Sequence, residues 1–154
     1  MKMAPLLEAF ARAQPRVPTR LLHTGQHYDA AMNDQHFKAL GLPLADISLG
    51  VGSDSHALQT AEIMRRFEPV LDEVAPGAVL VVGDVNSTLA CALVAAKKGV
   101  PVFHVEAGLR SFDRTMPEEI NRVLTDQLAE LLFTTEADAV VNLAREGIPA
   151  QRVH

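Results

Sequence analysis

Short apolar runs alternate along this chain with longer stretches whose apolar residues recur every three or four positions. The runs at 20–24 (RLLHT), 46–49, 79–82 (VLVV), 102–105 (VFHV) and 132–134 predict strands. VLVV and VFHV lack the polar alternation of a half-solvated strand. That pattern belongs to strands covered by helices on both sides, hence to a parallel sheet. Helical spacing predicts a helix over 55–74 that buries Ala57, Ala61, Met64, Phe67, Leu71 and Val74, with Pro69 kinking or interrupting it. The stretch 87–98 is apolar nearly all round and predicts a deeply buried helix. Residues 117–130 predict a helix burying Ile120, Val123, Leu124 and Leu128. Residues 136–146 predict another burying Ala137, Val140, Val141 and Ala144, stopped by Gly147. Strand–helix alternation of this kind predicts an α/β fold with an open parallel sheet, read as one domain over 1–154.

Both ends are unusual for such a fold. The chain opens on a helix, residues 2–13, where an α/β domain normally opens on a strand that becomes central in its sheet. It ends at Gln151-Arg152-Val153-His154, where a further strand is expected after the last helix. Truncation at both ends is one expectation; a small α/β domain that naturally begins with a helix is the other.

Composition narrows the class. The chain has 154 residues, 48% of them hydrophobic, enough apolar surface to support one core and to exclude a disordered chain. A net charge of −5 without any Lys/Arg run disfavours a nucleic-acid partner. Cys91 is alone, so there is no internal disulfide and no Cys/His zinc spacing. The apolar runs fall far short of the ~20 residues of a membrane span, and the N-terminus lacks a signal-peptide core. A cytoplasmic protein without membrane contact is expected.

Ligands of open parallel sheets bind beyond the carboxyl ends of the strands. Three polar segments leave strands there: Thr24-Gly25-Gln26-His27-Tyr28-Asp29, Gly83-Asp84-Val85-Asn86-Ser87-Thr88 and Glu106-Ala107-Gly108-Leu109-Arg110-Ser111. If strands 79–82 and 102–105 are neighbours, about 4.8 Å apart, Asp84 and Glu106 can face one crevice and divide acid and base roles. Asp84 could instead cap the following helix, and Glu106 could pair with Arg110. Thr115-Met116-Pro117-Glu118 reads as a capping box with Pro in the first turn, which does not prevent Glu118 from meeting a ligand. His27 follows a turn glycine and is a candidate ligand contact, whereas His104 inside a strand reads as a satisfied core residue. Gly50-x-Gly52 lacks the third glycine of a dinucleotide site, and no HExxH, P-loop or GxSxG motif is present.

Val82-Gly83-Asp84, then His104-Val105-Glu106-Ala107-Gly108-Leu109-Arg110-Ser111, then Pro117-Glu118-Glu119-Ile120-Asn121-Arg122, in this order, resemble non-hydrolysing UDP-N-acetylglucosamine 2-epimerases. Thr24-Gly25-Gln26-His27, Gln59-Thr60-Ala61 and the opening Lys2-Met3-Ala4-Pro5-Leu6 fit the same pattern. The resemblance covers essentially the whole chain. It implies the N-terminal Rossmann-like half of a two-domain GT-B fold, without its first strand and without the second domain. It implies a UDP-sugar substrate, homodimers, and interconversion of UDP-N-acetylglucosamine and UDP-N-acetylmannosamine by elimination of UDP and re-addition. No metal or redox cofactor is called for. The family's three acids fall on Asp84, Glu106 and Glu118, and Lys2, Gln26, His27 and Arg110 become candidate substrate contacts. Tyr28-Asp29 stands where substrate-activated bacterial members carry a second Gln, so an activator site would be altered.

Three readings remain open from sequence. The first is the carboxylate-bearing half of the epimerase, inactive by itself. The second is a hydrolysing relative that releases UDP and N-acetylmannosamine. The third is a truncated domain without catalysis.

Overall fold

The computed structural model describes residues 3–25 and 44–154. Lys2, Gln26 and His27, all candidate substrate contacts, lie outside the described residues. The chain divides into two compact units, Met1–Ser55 and His56–His154.

In the first unit, α1 (Met3–Arg12) is followed by β1 (Leu22–His23), which pairs in parallel with β2 (Ile47–Ser48). Both strands are shorter than the sequence predicts. The pairing continues past the strands through the Leu49 N–H to the His23 carbonyl (2.9 Å) and the Val51 N–H to the Thr24 carbonyl (2.9 Å). Gly25 sits at φ +85°, and a Cβ there would lie 2.9 Å from the Gly50 Cα, so close backbone approach requires glycine at this strand end.

The second unit holds α2 (His56–Val74), β3 (Val79–Val82), α3 (Asn86–Lys97), β4 (Val102–Val105), α4 (Pro117–Leu128), β5 (Leu131–Phe133) and α5 (Ala137–Arg145). β3, β4 and β5 form a parallel sheet in that order, with Val81 opposite His104 and His104 opposite Leu132. β3 and β4 match the apolar runs residue for residue, and β5 begins one residue earlier than predicted. After α5, Val153 bridges Leu132 in parallel, and the His154 N–H donates to the Leu132 carbonyl at 2.8 Å. The strand expected near residue 154 thus begins to pair beside β5.

α3 packs between α2 and α4. As its composition predicts, it buries Thr88, Ala90, Cys91, Ala92, Val94 and Ala95. Burial pushes the Cys91 thiol up to about 12, as for an unreactive core residue. α2 departs from expectation in two ways. It buries Ile63, Phe67 and Leu71, while Ala57, Ala61 and Val74 are exposed. It also runs through Pro69 as one helix. Arg65, whose carbonyl loses its helical donor to Pro69, lies on the exposed side, where water can replace that donor.

The last two helices reverse the predicted faces. α4 exposes Ile120 (41%) and Leu124 (45%) and buries Glu119, Asn121, Thr125 and Asp126. α5 exposes Val140 (45%) and Val141 (47%), with Ala137 and Ala144, and buries Ala139 and Leu143. In α4 the inward face is filled by ion pairs instead of hydrocarbon. In α5 the backbone of the 106–110 loop sets the orientation. A Cβ at Gly108 would lie 2.6 Å from the Ala139 carbonyl oxygen, so the loop backbone must rest directly on Ala139.

Candidate active site at the strand ends

β3 and β4 end side by side. The Gly83 N–H donates to the Val105 carbonyl at 3.1 Å, extending the ladder by one bond. Gly83 then turns at φ +78°, and a Cβ there would lie 3.6 Å from Glu106 Oε2, so the Glu106 carboxylate lies over the Gly83 turn. Glu106 itself holds φ +70°, a left-handed conformation that costs a non-glycine residue about 1–3 kcal/mol and recurs at functional sites. Its backbone is held there because the N–H groups of Glu106 and Ala107 both donate to the Phe133 carbonyl, at 3.0 and 3.1 Å.

Asp84 follows Gly83. It does not cap α3: the residue before that helix is Val85, with no side-chain cap. Instead Arg122 of α4 reaches it, with Nε 2.9 Å and Nη2 2.6 Å from the same oxygen, Oδ2. Asn121 Nδ2 donates to the Asp84 backbone carbonyl at 2.9 Å. The start of α4 is therefore fastened to the end of β3.

The capping box predicted at Thr115–Glu118 does not form. The N-cap position is Met116, without a side-chain bond, and the Thr115 N–H and hydroxyl both turn to Asp113 Oδ1, at 2.9 and 2.6 Å. The helix starts later than the box requires because Asp113 takes the threonine into its own Asx turn. Glu118 thus lies in the first turn with no side-chain hydrogen bond among the described residues, which leaves its carboxylate available to a ligand.

Two buried ionic clusters hold these loops. In the first, Glu119 accepts from the N–H groups of Ser111 (2.9 Å) and Phe112 (3.1 Å), from the Ser111 hydroxyl (3.1 Å) and from Arg122 Nη1 (2.8 Å). Burial raises Glu119, but these donors outweigh it and keep the carboxyl below its ordinary value. In the second, Asp126 binds His104 Nδ1 at 2.6 Å, the Gly108 N–H at 3.0 Å and Arg110 Nη2 at 2.7 Å. His104 Nε2 meets the Gly83 carbonyl at 2.8 Å. Both ring nitrogens face oxygen acceptors, so this is the satisfied core histidine that the sequence suggests.

Arg110 is taken up by Asp126 and Glu146 rather than by Glu106, and its side chain is 1% exposed. Burial opposes its charge, yet the hydrogen bonds to the two carboxylates outweigh that and raise the guanidinium above its ordinary value. Asn142 Nδ2 completes the support by donating to the Gly108 carbonyl at 3.0 Å.

Of the sequence candidates, Asp84 and Glu106 lie on adjacent strand ends, Glu118 starts the helix fastened to them, and Arg110 is buried beneath the loop. Hydrophobic pattern does not reveal Glu119 and Asp126 as buried groups or Arg122 as the half-buried one between them. Their spacing of three and four along α4 is the signal: helical periodicity applied to charged residues outlines the inward face as clearly as hydrophobic periodicity does elsewhere. No cluster of three or more His, Cys, Asp or Glu able to hold a metal ion occurs among the described residues. None of their helices is long and apolar enough to cross a membrane.

Comparison with known proteins bears on this arrangement. The sequence pattern of the family described as UDP-N-acetylglucosamine 2-epimerase matches residues 10–154. A UDP-N-acetylglucosamine 2-epimerase homolog of Methanococcus maripaludis is 47% identical over 148 residues, which are 96% of this chain and 41% of the relative. A UDP-2,3-diacetamido-2,3-dideoxy-D-glucuronate 2-epimerase of Pseudomonas aeruginosa is 48% identical over 127 residues, 82% of this chain and 36% of the relative. The crystal structure of the Methanocaldococcus jannaschii UDP-GlcNAc 2-epimerase, in complex with UDP-GlcNAc and UDP, superposes with a TM-score of 0.94 at 44% identity. It covers 99% of this chain and 42% of that one. The chain thus spans 36–41% of the length of the curated relatives that it matches. Parallel sheets with flanking helices, spanning that share of the relatives, agree with one half of the two-domain GT-B arrangement. By sequence pattern, identity and fold, the chain belongs to the UDP-N-acetylglucosamine 2-epimerase family.

Proposed function

We propose that this chain carries the carboxylate-bearing part of an epimerase acting at C2 of UDP-N-acetylglucosamine. One observation supports this above the others. Asp84, Glu106 and Glu118 arise from three separate segments that Arg122, Asn121 and Glu119 fasten together at one end of a parallel sheet.

The chemistry makes particular demands. The proton on C2 is not acidified by a carbonyl, so its removal must accompany loss of the C1 substituent. A base takes the C2 proton, the C–H electrons form the C1–C2 double bond, and UDP leaves with the C1–O pair, giving a 2-acetamidoglucal. Return of UDP to C1, with protonation of C2 from the other face, completes inversion. One acid–base group is needed on each face of the ring, and a fixed negative charge is needed near C1 as positive charge develops there.

Glu106 and Glu118 are assigned to the two faces. Glu118 has no competing partner among the described residues, and Glu106 is held in a strained backbone above Gly83. Asp84, anchored through one oxygen, is assigned to C1 or the sugar hydroxyls. Arg110, buried between Asp126 and Glu146, is assigned to holding the 106–110 loop instead of touching substrate. Lys2, Gln26 and His27 are retained as substrate-side candidates. The reaction as written uses no metal or redox cofactor. The subunit arrangement proposed is a homodimer, and the setting cytoplasmic.

The Pseudomonas relative, named for a diacetamido-glucuronate substrate, favours a second reading in which the hexose bears other substituents at C3 and C6. The test joins this chain to the remaining segments of the Methanocaldococcus enzyme and incubates the chimera with either UDP-sugar in D2O. Epimerisation is expected with deuterium entering C2. Free N-acetylmannosamine and UDP as the products of UDP-N-acetylglucosamine would identify a hydrolysing relative instead. Asp84→Asn, Glu106→Gln and Glu118→Gln should each lower kcat by ~10²-fold or more, and near-normal rates in all three defeat the assignment. The 154-residue chain alone should show no turnover, because one wall of a closed site cannot exclude water.

A further inference from the structure

Arg122 is tied to two acids at once, and its geometry toward Asp84 is one-sided. Nε and Nη2 both address Oδ2, at 2.9 and 2.6 Å, and Nη1 addresses Glu119 Oε2 at 2.8 Å. Asp84 Oδ1 has no hydrogen-bond partner among the described residues, and the Asp84 side chain is 30% exposed. Asn121, the residue before Arg122, holds the Asp84 backbone carbonyl at 2.9 Å. The acid is therefore fixed at its backbone and at one carboxylate oxygen, with the other oxygen left over.

We infer that Arg122 is a positioning residue for Asp84: it fixes Oδ2 so that Oδ1 is presented to the sugar, and Glu119 fixes Arg122. This rests on the reading above, in which Asp84 meets the substrate.

Burial works against the Arg122 charge, but the bonds to Asp84 and Glu119 outweigh it and raise the guanidinium above its ordinary value. An arginine already shared by two carboxylates is poorly placed to serve as a free cation for a pyrophosphate, which is the obvious competing role. The same guanidinium also couples two loops. Glu119 holds the Ser111 and Phe112 N–H groups, so the turn after β3 and the loop after β4 share one anchor on α4. A planar fork suits this task better than the point charge of a lysine.

The experiment is a double-mutant cycle in the chimera joining this chain to the rest of the Methanocaldococcus enzyme. Arg122→Met should lower kcat between about tenfold and a hundredfold, the scale of misplacing a reacting group by ~1 Å, with KM changed by no more than about twofold. In the Asp84→Asn background the same change should cost almost nothing more, because its effect runs through Asp84. Arg122→Lys should recover part of the loss. Full additivity of the two changes, or a rise in KM with kcat intact, overturns the inference, the latter pointing to direct substrate binding. Circular dichroism melts identify a variant that does not fold; Arg122→Lys then carries the same cycle. If Asp84→Asn alone leaves kcat unchanged, the reading of Asp84 fails, and with it the basis of this one. A costly Asp84→Asn with a silent Arg122→Met removes only the role given to Arg122.

Discussion

α3 and α4 are neighbouring helices of equal length, 12 residues each, on either side of β4 in sequence, and they are buried by opposite means. α3 presents alanine, valine and cysteine to its surroundings. α4 presents glutamate, asparagine, threonine and aspartate and leaves Ile120 and Leu124 in the open. Removing α3's face from water is favourable by itself. Removing α4's face is costly unless every charge finds a partner, and here Glu119 and Asp126 each collect several donors. The helix that is harder to bury is the one that fastens the candidate acids. A hydrocarbon face would hold α4 against the sheet equally well, but it could not grip a backbone carbonyl at Asp84 or two N–H groups at Ser111 and Phe112.

The contrast can be broken most severely at Asp126. Asp126→Ala leaves His104 Nδ1 and the Gly108 N–H without their partner and Arg110 with Glu146 as its one carboxylate, and about 3–5 kcal/mol should be lost, read as a shifted urea midpoint of the 154-residue chain. A loss under 1 kcal/mol would show that the cluster is far wetter than its burial suggests. Next in size is overpacking of the apolar helix. Ala92→Leu forces a larger side chain into a fully buried alanine site and should cost about 1–3 kcal/mol. Leu124→Ser on the exposed stripe of α4 should change stability by no more than about 0.5 kcal/mol in the same urea titration. A large loss there would restore the face that the sequence pattern predicts. A pH titration sharpens the comparison with less amplitude. Glu119 is held below its ordinary value when folded, so its contribution is complete above the unfolded carboxyl range, near pH 4.5, and fades as pH falls through the folded value. In Glu119→Gln that part of the acid limb should disappear from the midpoint-against-pH curve.

The same contrast explains which parts of the molecule are legible in the sequence. β3 and β4 are legible to the residue because doubly covered strands are continuous apolar runs bounded by polar turns. α3 is legible because its burial is hydrocarbon. α2 is legible in extent but not wholly in face, since small alanines weigh little against Ile63 in deciding which side turns inward. α4 and α5 turn other faces inward than the pattern predicts, because hydrophobic periodicity cannot register a face buried by ion pairs or by contact with a loop backbone. At the candidate site, the strand-end location and the types of Asp84 and Glu106 were visible, and the resemblance added Glu118. Capping by Asp84 and Thr115 is sound local chemistry that loses to Arg122 and Asp113, partners whose competition depends on three-dimensional proximity or on where a helix starts.

By itself the amino-acid order determined the alternation of strands and helices, the parallel sheet, the family motifs and the acids at the strand ends. These follow from local composition and period, which act within a few residues. Only the tertiary structure decided which faces of α4 and α5 turn inward, that Arg110 lies beneath its loop, and that Arg122 grips Asp84. Those outcomes depend on charges 16 to 38 positions apart being brought within hydrogen-bond reach. Their stability comes from partners that satisfy one another and so offset the cost of leaving water, a condition that no short window of sequence contains.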